Sequence, residues 1–123
     1  MHDQKQKIDS VLGDFVKGTA SIQAAAVMSR DGILIASRLH KSVNPDRLSA
    51  ISASILSLAN RASSDLQQGN LEQVLIDSSD GFLLMVKVGS NAVLSVVSRP
   101  NSSLGMLLHD TKKSAATLAA LLQ

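Results

Sequence analysis

Apolar residues recur along this chain in two rhythms: every three to four positions in three stretches, and as short near-continuous runs in five others. In the first stretch Ile8, Val11, Leu12, Phe15 and Val16 share one helical face, with Lys5, Lys7, Asp9, Asp14 and Lys17 largely between them. An amphipathic helix is predicted there, tolerating Gly13 at about 1 kcal/mol relative to alanine and stopping at Gly18. A hairpin follows, with strands at Ile22 to Met28 and Ile33 to Arg38 around the turn Ser29-Arg30-Asp31-Gly32. Asn44 and Pro45 then supply a cap and a first helical residue for a second helix, which reaches Gln68 and stops at Gly69-Asn70. Its apolar stripe, Leu48, Ile51, Ile55, Leu58, Ala59, Ala62 and Leu66, is expected to pack on the sheet.

The stretch Leu71 to Ser98 holds three more strands, Leu71 to Asp77, Phe82 to Val88 and Ala92 to Ser98, separated by Ser78-Ser79-Asp80-Gly81 and Gly89-Ser90-Asn91. Turns this short join only antiparallel neighbours, because a parallel crossover needs a dozen or more residues. A third helix starts near Ser103, with Leu104, Leu107, Leu108, Ala115, Leu118 and Leu122 on one side and His109, Asp110, Lys112 and Lys113 mostly on the other. Strand Phe82 to Val88 is apolar at nearly every position, which calls for cover on both faces of the sheet. The predicted fold is α+β: a five-stranded antiparallel sheet flanked by helices on both faces, in the order helix, two strands, helix, three strands, helix. The two hairpins share an S-x-D-G-apolar-Leu-apolar pattern at residues 29–35 and 78–84, read as common turn chemistry rather than a duplication.

At 123 residues, 45% hydrophobic and 18% charged, the chain is expected to form a single domain spanning residues 1–123. Phe15 and Phe82 are its only aromatic residues, so the core must be built from aliphatic side chains and alanine. Cysteine is absent, which excludes disulfides and thiolate chemistry. No apolar run approaches the roughly 18 residues of a membrane span, and the segment MHDQKQKID carries no signal-peptide core; a cytoplasmic protein without membrane insertion is expected. Although the isoelectric point is near 9.2, the net charge is only +2, the basic residues are scattered, and Tyr and Trp are missing. Nucleic acid is therefore not an expected partner.

The sequence offers no catalytic constellation. His2, His40 and His109 fall at a terminus, in a loop and on a helix, without the spacing of metal ligands. There is no G-x-S-x-G elbow, no dinucleotide fingerprint and no P-loop, and Asp77 and Asp80 stand where a strand end and a turn need them. No catalytic residue, metal or cofactor is assigned. The second helix is more informative, since Ala50, Ala53, Ser57 and Ser64 form a small uncharged face opposite its stripe, with Leu56 at the margin. The strand after it can lie at a sheet edge and has neither proline nor lysine to block pairing. A two-fold dimer is expected, with Ala50, Ala53, Ser57 and Ser64 of the helix and Glu72, Val74 and Ile76 of the strand at the interface.

Together the segments AAAVMSRDGILIAS (24–37) and LIDSSDGFLLMVKVGSNAVLSVVSRPNSSLGML (75–107), with Leu104-Gly105 opening the last helix, resemble the Roadblock, or dynein light-chain, family. The resemblance extends over about residues 5–122, and it departs at Gln23-Ala24, where many members place a small residue such as glycine. It implies a sheet with one helix on one face and two on the other, dimers through the middle helix and the following edge strand, and no enzymatic centre. Family members act as scaffolds or regulators of small Ras-like GTPases, in bacterial polarity systems, in archaea and in eukaryotic complexes. On that footing the expected role is a homodimeric, non-enzymatic regulator that binds a small Ras-like GTPase through its paired second helices. Arg47, Asn60, Arg61 and Asp65 are the candidate partner contacts. Arg61 invites comparison with an arginine finger, but a solvated helix arginine is the preferred reading. The alternatives are a light-chain adaptor joining larger proteins without a GTPase, and a small-ligand sensor, against which the shortage of polar groups in the core argues.

Overall fold

The computed structural model describes residues 2–39 and 43–122. Its elements are α1 (His2–Gly18), β1 (Ile22–Ser29), β2 (Leu34–Leu39), α2 (Pro45–Asp65), β3 (Gln73–Ser78), β4 (Gly81–Val88), β5 (Ala92–Ser98) and α3 (Leu104–Leu121), in the predicted order. His2 is the first residue of α1, and the loop position expected for His40 falls outside the described residues. Every strand pairs antiparallel in one sheet of order β2-β1-β5-β4-β3. The first hairpin and the meander thus join through β1 and β5, and β2 and β3 form the two edges.

Side-chain alternation divides the sheet between two cores. Ala25, Val27, Leu84, Val86, Leu94 and Val96 face α1 and α3, where Ile8, Leu12, Phe15, Leu107, Ala115 and Leu118 complete the larger core. Ala26, Met28, Met85 and Val93 face the other way, towards Leu48 and Leu56 of α2. Aliphatic side chains make up most of both, with Phe15 and half-buried Phe82 in the larger. The helix α2 packs mainly over β2, β1 and β5, reaching β4 at Met85. That coverage leaves the α2 side of β3 and β4 partly open.

Caps set the helix starts. Asn44 Oδ1 accepts from the backbone N–H groups of Asp46 at 2.9 Å and Arg47 at 3.1 Å, and Ser103 Oγ accepts from Met106 at 3.3 Å. The end of α2 comes three residues before the predicted Gln68. Gln67 takes a positive φ of 55°, Gln67 N–H donates to Ser64 O at 3.1 Å and Gln68 N–H to Ser63 O at 2.8 Å, closing a Schellman turn without glycine. The glycine signal at Gly69 therefore marks the return loop and not the stop. Strand β2 begins at Leu34, and Ile33, expected inside it, is 68% exposed at the turn. Similarly, β3 begins at Gln73, so Leu71 and Glu72 precede the strand.

The largest departure is the orientation of α2. Its buried residues are Leu48, Ser49, Ser52 and Leu56, whereas Ile51, Leu58 and Leu66 of the expected core stripe are 46%, 70% and 69% exposed. At ~100° per residue, Ile51 and Leu58 stand more than a quarter turn from the centre of the buried face. Leu56, expected at the margin of an intermolecular contact, is instead a core residue. Small residues let the helix approach closely: Ser95 Oγ of β5 donates to Ser52 Oγ at 3.0 Å beneath it.

Candidate protein-interaction surface

Because α2 lies mainly over three of the five strands, its flank towards β3 carries an apolar surface without a helix over it. Ile51 and Leu58 are its exposed part, and half-buried Ile55, Leu71, Val74, Leu83 and Val97 continue it onto the sheet. Val74 pairs with Met85 and Ile76 with Leu83, so both lie on the α2 side of β3. This places two of the three strand residues expected at a dimer interface on the open apolar surface. Glu72, the third, is exposed just ahead of the strand.

The helix residues expected at that interface are divided. Ala50, Ser57 and Ser64 are exposed, while Ala53 is half-buried against the first hairpin. A methyl group on Gly32 would come within 2.8 Å of Ala53 Cβ, so this alanine packs within its own chain. Residue size alone selected the small face and passed over Ile51 and Leu58. Both fall in the stripe expected to face the sheet, because periodicity alone does not say which part of a stripe the sheet will cover.

All four candidate partner contacts are exposed. Arg47, Arg61 and Asp65 project from the outward face of α2, with Arg47 and Arg61 about 21 Å apart along the axis at ~1.5 Å per residue. Arg61 Nε lies 3.8 Å from Asp65 Oδ2 one turn on, a solvent-exposed pair that contributes little to stability. Asn60 points elsewhere, about 100° round the helix from Arg61, into a crevice below the end of α2. The outward face thus offers fixed charges at both ends, beside the apolar flank.

Among the described residues no cluster of three or more His, Asp or Glu is arranged to hold a metal ion, and no helix is long and apolar enough to cross a membrane. His109 is a surface residue of α3.

Comparison with known proteins agrees with this architecture. An uncharacterized protein of Methanocaldococcus jannaschii, MJ1340, is 32% identical over 114 residues, which cover 93% of this chain and 98% of the relative. Myxococcus xanthus MglB superposes with a TM-score of 0.88 at 20% identity, over 96% of this chain and 89% of MglB. A Roadblock/LC7 domain from Streptomyces avermitilis superposes with a TM-score of 0.85 at 18% identity, over 93% and 96% of the two chains. The model of the Roadblock/LC7 domain matches residues 9–98, from the middle of α1 to the end of β5. With most of its length inside that match, and with the sheet order and helix placement described above, the chain belongs to the Roadblock/LC7 domain family.

Proposed function

We propose that the protein is a two-fold homodimer that regulates a small Ras-like GTPase. The observation that carries the dimer is the apolar flank of α2, with Ile51 and Leu58 exposed beside the unpaired edge of β3. Fully burying a leucine or isoleucine contributes roughly 1.5–3 kcal/mol, and an exposed strand edge is a template for pairing with a second copy. Two copies joined at β3 would extend the sheet and bring the α2 helices together over the junction, with Ala50, Ser57 and Ser64 permitting close approach, Val74 and Ile76 inside the contact, and Glu72 near its end. Arg47, Arg61 and Asp65 would then lie on a platform made by both chains.

Membership of the Roadblock/LC7 family supports a GTPase as the partner. In this reading the protein acts by contact, altering the nucleotide cycle through differential binding to the partner's nucleotide states. The adaptor reading keeps one observation in its favour: β2 is a second unpaired edge, open to strand addition by a larger protein. A pull-down with the host's small GTPases, each loaded with GDP or with a non-hydrolysable GTP analogue, separates the two. Retention of one GTPase in one nucleotide state, followed by a changed hydrolysis or exchange rate, is the expected result. Failure of every GTPase to bind in either state would leave the adaptor.

A further inference from the structure

Beyond Leu56, its last buried residue, α2 runs off the sheet: Ser57, Asn60, Arg61, Ala62, Ser64 and Asp65 are all exposed. The chain then returns through Gly69 and Asn70 to the start of β3. Between this overhang and the sheet lies a crevice of about 910 Å³. Its base is apolar, formed by Leu56 and Val93. Its walls are the β1–β2 turn and the β4–β5 turn, tied together where Arg30 N–H donates to Asn91 O at 3.3 Å.

The lining is rich in donors and carries net positive charge. Arg30 enters from the first turn and Lys87 from β4, and Asp31 is the one carboxylate beside them. Neither cation forms an ion pair among the described residues, and neither side chain is engaged in a hydrogen bond there. Asn60 and Asn91 add amide N–H groups, and Ser57 and Ser90 add hydroxyls. A cation ligand would meet two like charges here, and a purely apolar one would strip water from donors without replacing it. A tetrahedral oxyanion needs donors from several directions, which a guanidinium fork, an ammonium and neutral donors on separate walls supply. The volume falls within the ~300–1,000 Å³ common for small-molecule sites, and Asp31 can accept from a ligand hydroxyl.

We propose that this crevice binds a phosphorylated, hydroxylated small molecule, with the phosphate between Arg30 and Lys87. The crevice shares Ser57 and Leu71 with the proposed dimer surface and Asn60 with the candidate partner contacts, but Arg30 and Lys87, which hold the phosphate, belong to neither, so the anion site stands whether or not a GTPase is the partner. The test is a titration of the ¹⁵N-labelled full chain, followed by amide chemical shifts, with ribose 5-phosphate, ribose and inorganic phosphate. Ribose 5-phosphate is expected to shift the amides of Asp31, Asn70 and Asn91 saturably, with half-saturation below ~1 mM, and ribose to leave them unmoved. Arg30→Gln and Lys87→Gln should each raise the half-saturation point about tenfold, and Lys112→Gln on α3 should not change it. Both crevice side chains are exposed, so the variants should keep the parent spectrum elsewhere. Inorganic phosphate moving the same amides more weakly would support the anion site. No saturable shift with either phosphate compound, or shifts that survive both crevice substitutions, would overturn the proposal.

Discussion

Gly32 and Gly81 stand in the same S-x-D-G setting and both adopt positive φ, 88° and 143°, yet their neighbours impose different constraints. At Gly32 an added methyl would meet Ala53 Cβ at 2.8 Å and Ser49 O at 3.2 Å, so this glycine admits α2. At Gly81 the methyl would meet the Ser98 carbonyl oxygen at 2.5 Å, and backbone cannot swing aside as a flexible side chain does. Gly81→Ala is therefore expected to destabilise the fold by about 1–3 kcal/mol, combining backbone strain with the clash. Urea denaturation checks this as a lower midpoint with an unchanged slope. That a turn glycine was needed at both positions was legible in the sequence. What each glycine makes room for was not, because Ala53 and Ser98 come from elements distant in the chain. Ser52 and Ser95 show the same limit: each is an ordinary polar residue by type, and only their meeting under α2 makes a buried pair.

Among the elements, the strands and the start of α3 were legible to within one or two residues, whereas α2 was legible in place but not in orientation. Periodicity identifies an apolar stripe but does not say whether a sheet or another chain will cover it. Here the intramolecular contact is made by Leu48, Ser49, Ser52 and Leu56, and small side chains outrank larger ones because they let helix and sheet come close. The displaced stripe gives the dimer proposal a sharp test. Leu58→Asp, at a position 70% exposed in the single chain, is expected to leave folding intact and convert the dimer to a monomer. Light scattering at a series of concentrations measures the mass. A dimer mass retained by this variant, with native far-ultraviolet circular dichroism, would remove the α2 flank from the interface.

On the scale of the molecule, the proposal separates self-association from partner binding. In that proposal the apolar flank and the β3 edge would serve the first, and the charges on the outward face of α2 would serve the second. Arg47→Glu combined with Arg61→Glu should lower retention of the GTPase at least tenfold in a pull-down while the dimer mass persists, since both side chains are exposed and their reversal removes only surface charge complementarity. Parallel loss of dimer and partner would show that the two surfaces are one. Turn chemistry and periodicity, both local properties, were enough to determine the element order and the antiparallel meander, composition required a mainly aliphatic core, and the segments 24–37 and 75–107 carried the resemblance to the family. The tertiary structure decided which flank of α2 meets the sheet, that β1 and β5 join the two antiparallel units so that β2 is the other free edge, and that the end of α2 overhangs a cationic crevice. Those outcomes depend on how far a helix extends beyond the strands under it and on contacts between residues remote in the chain, and no local pattern encodes either.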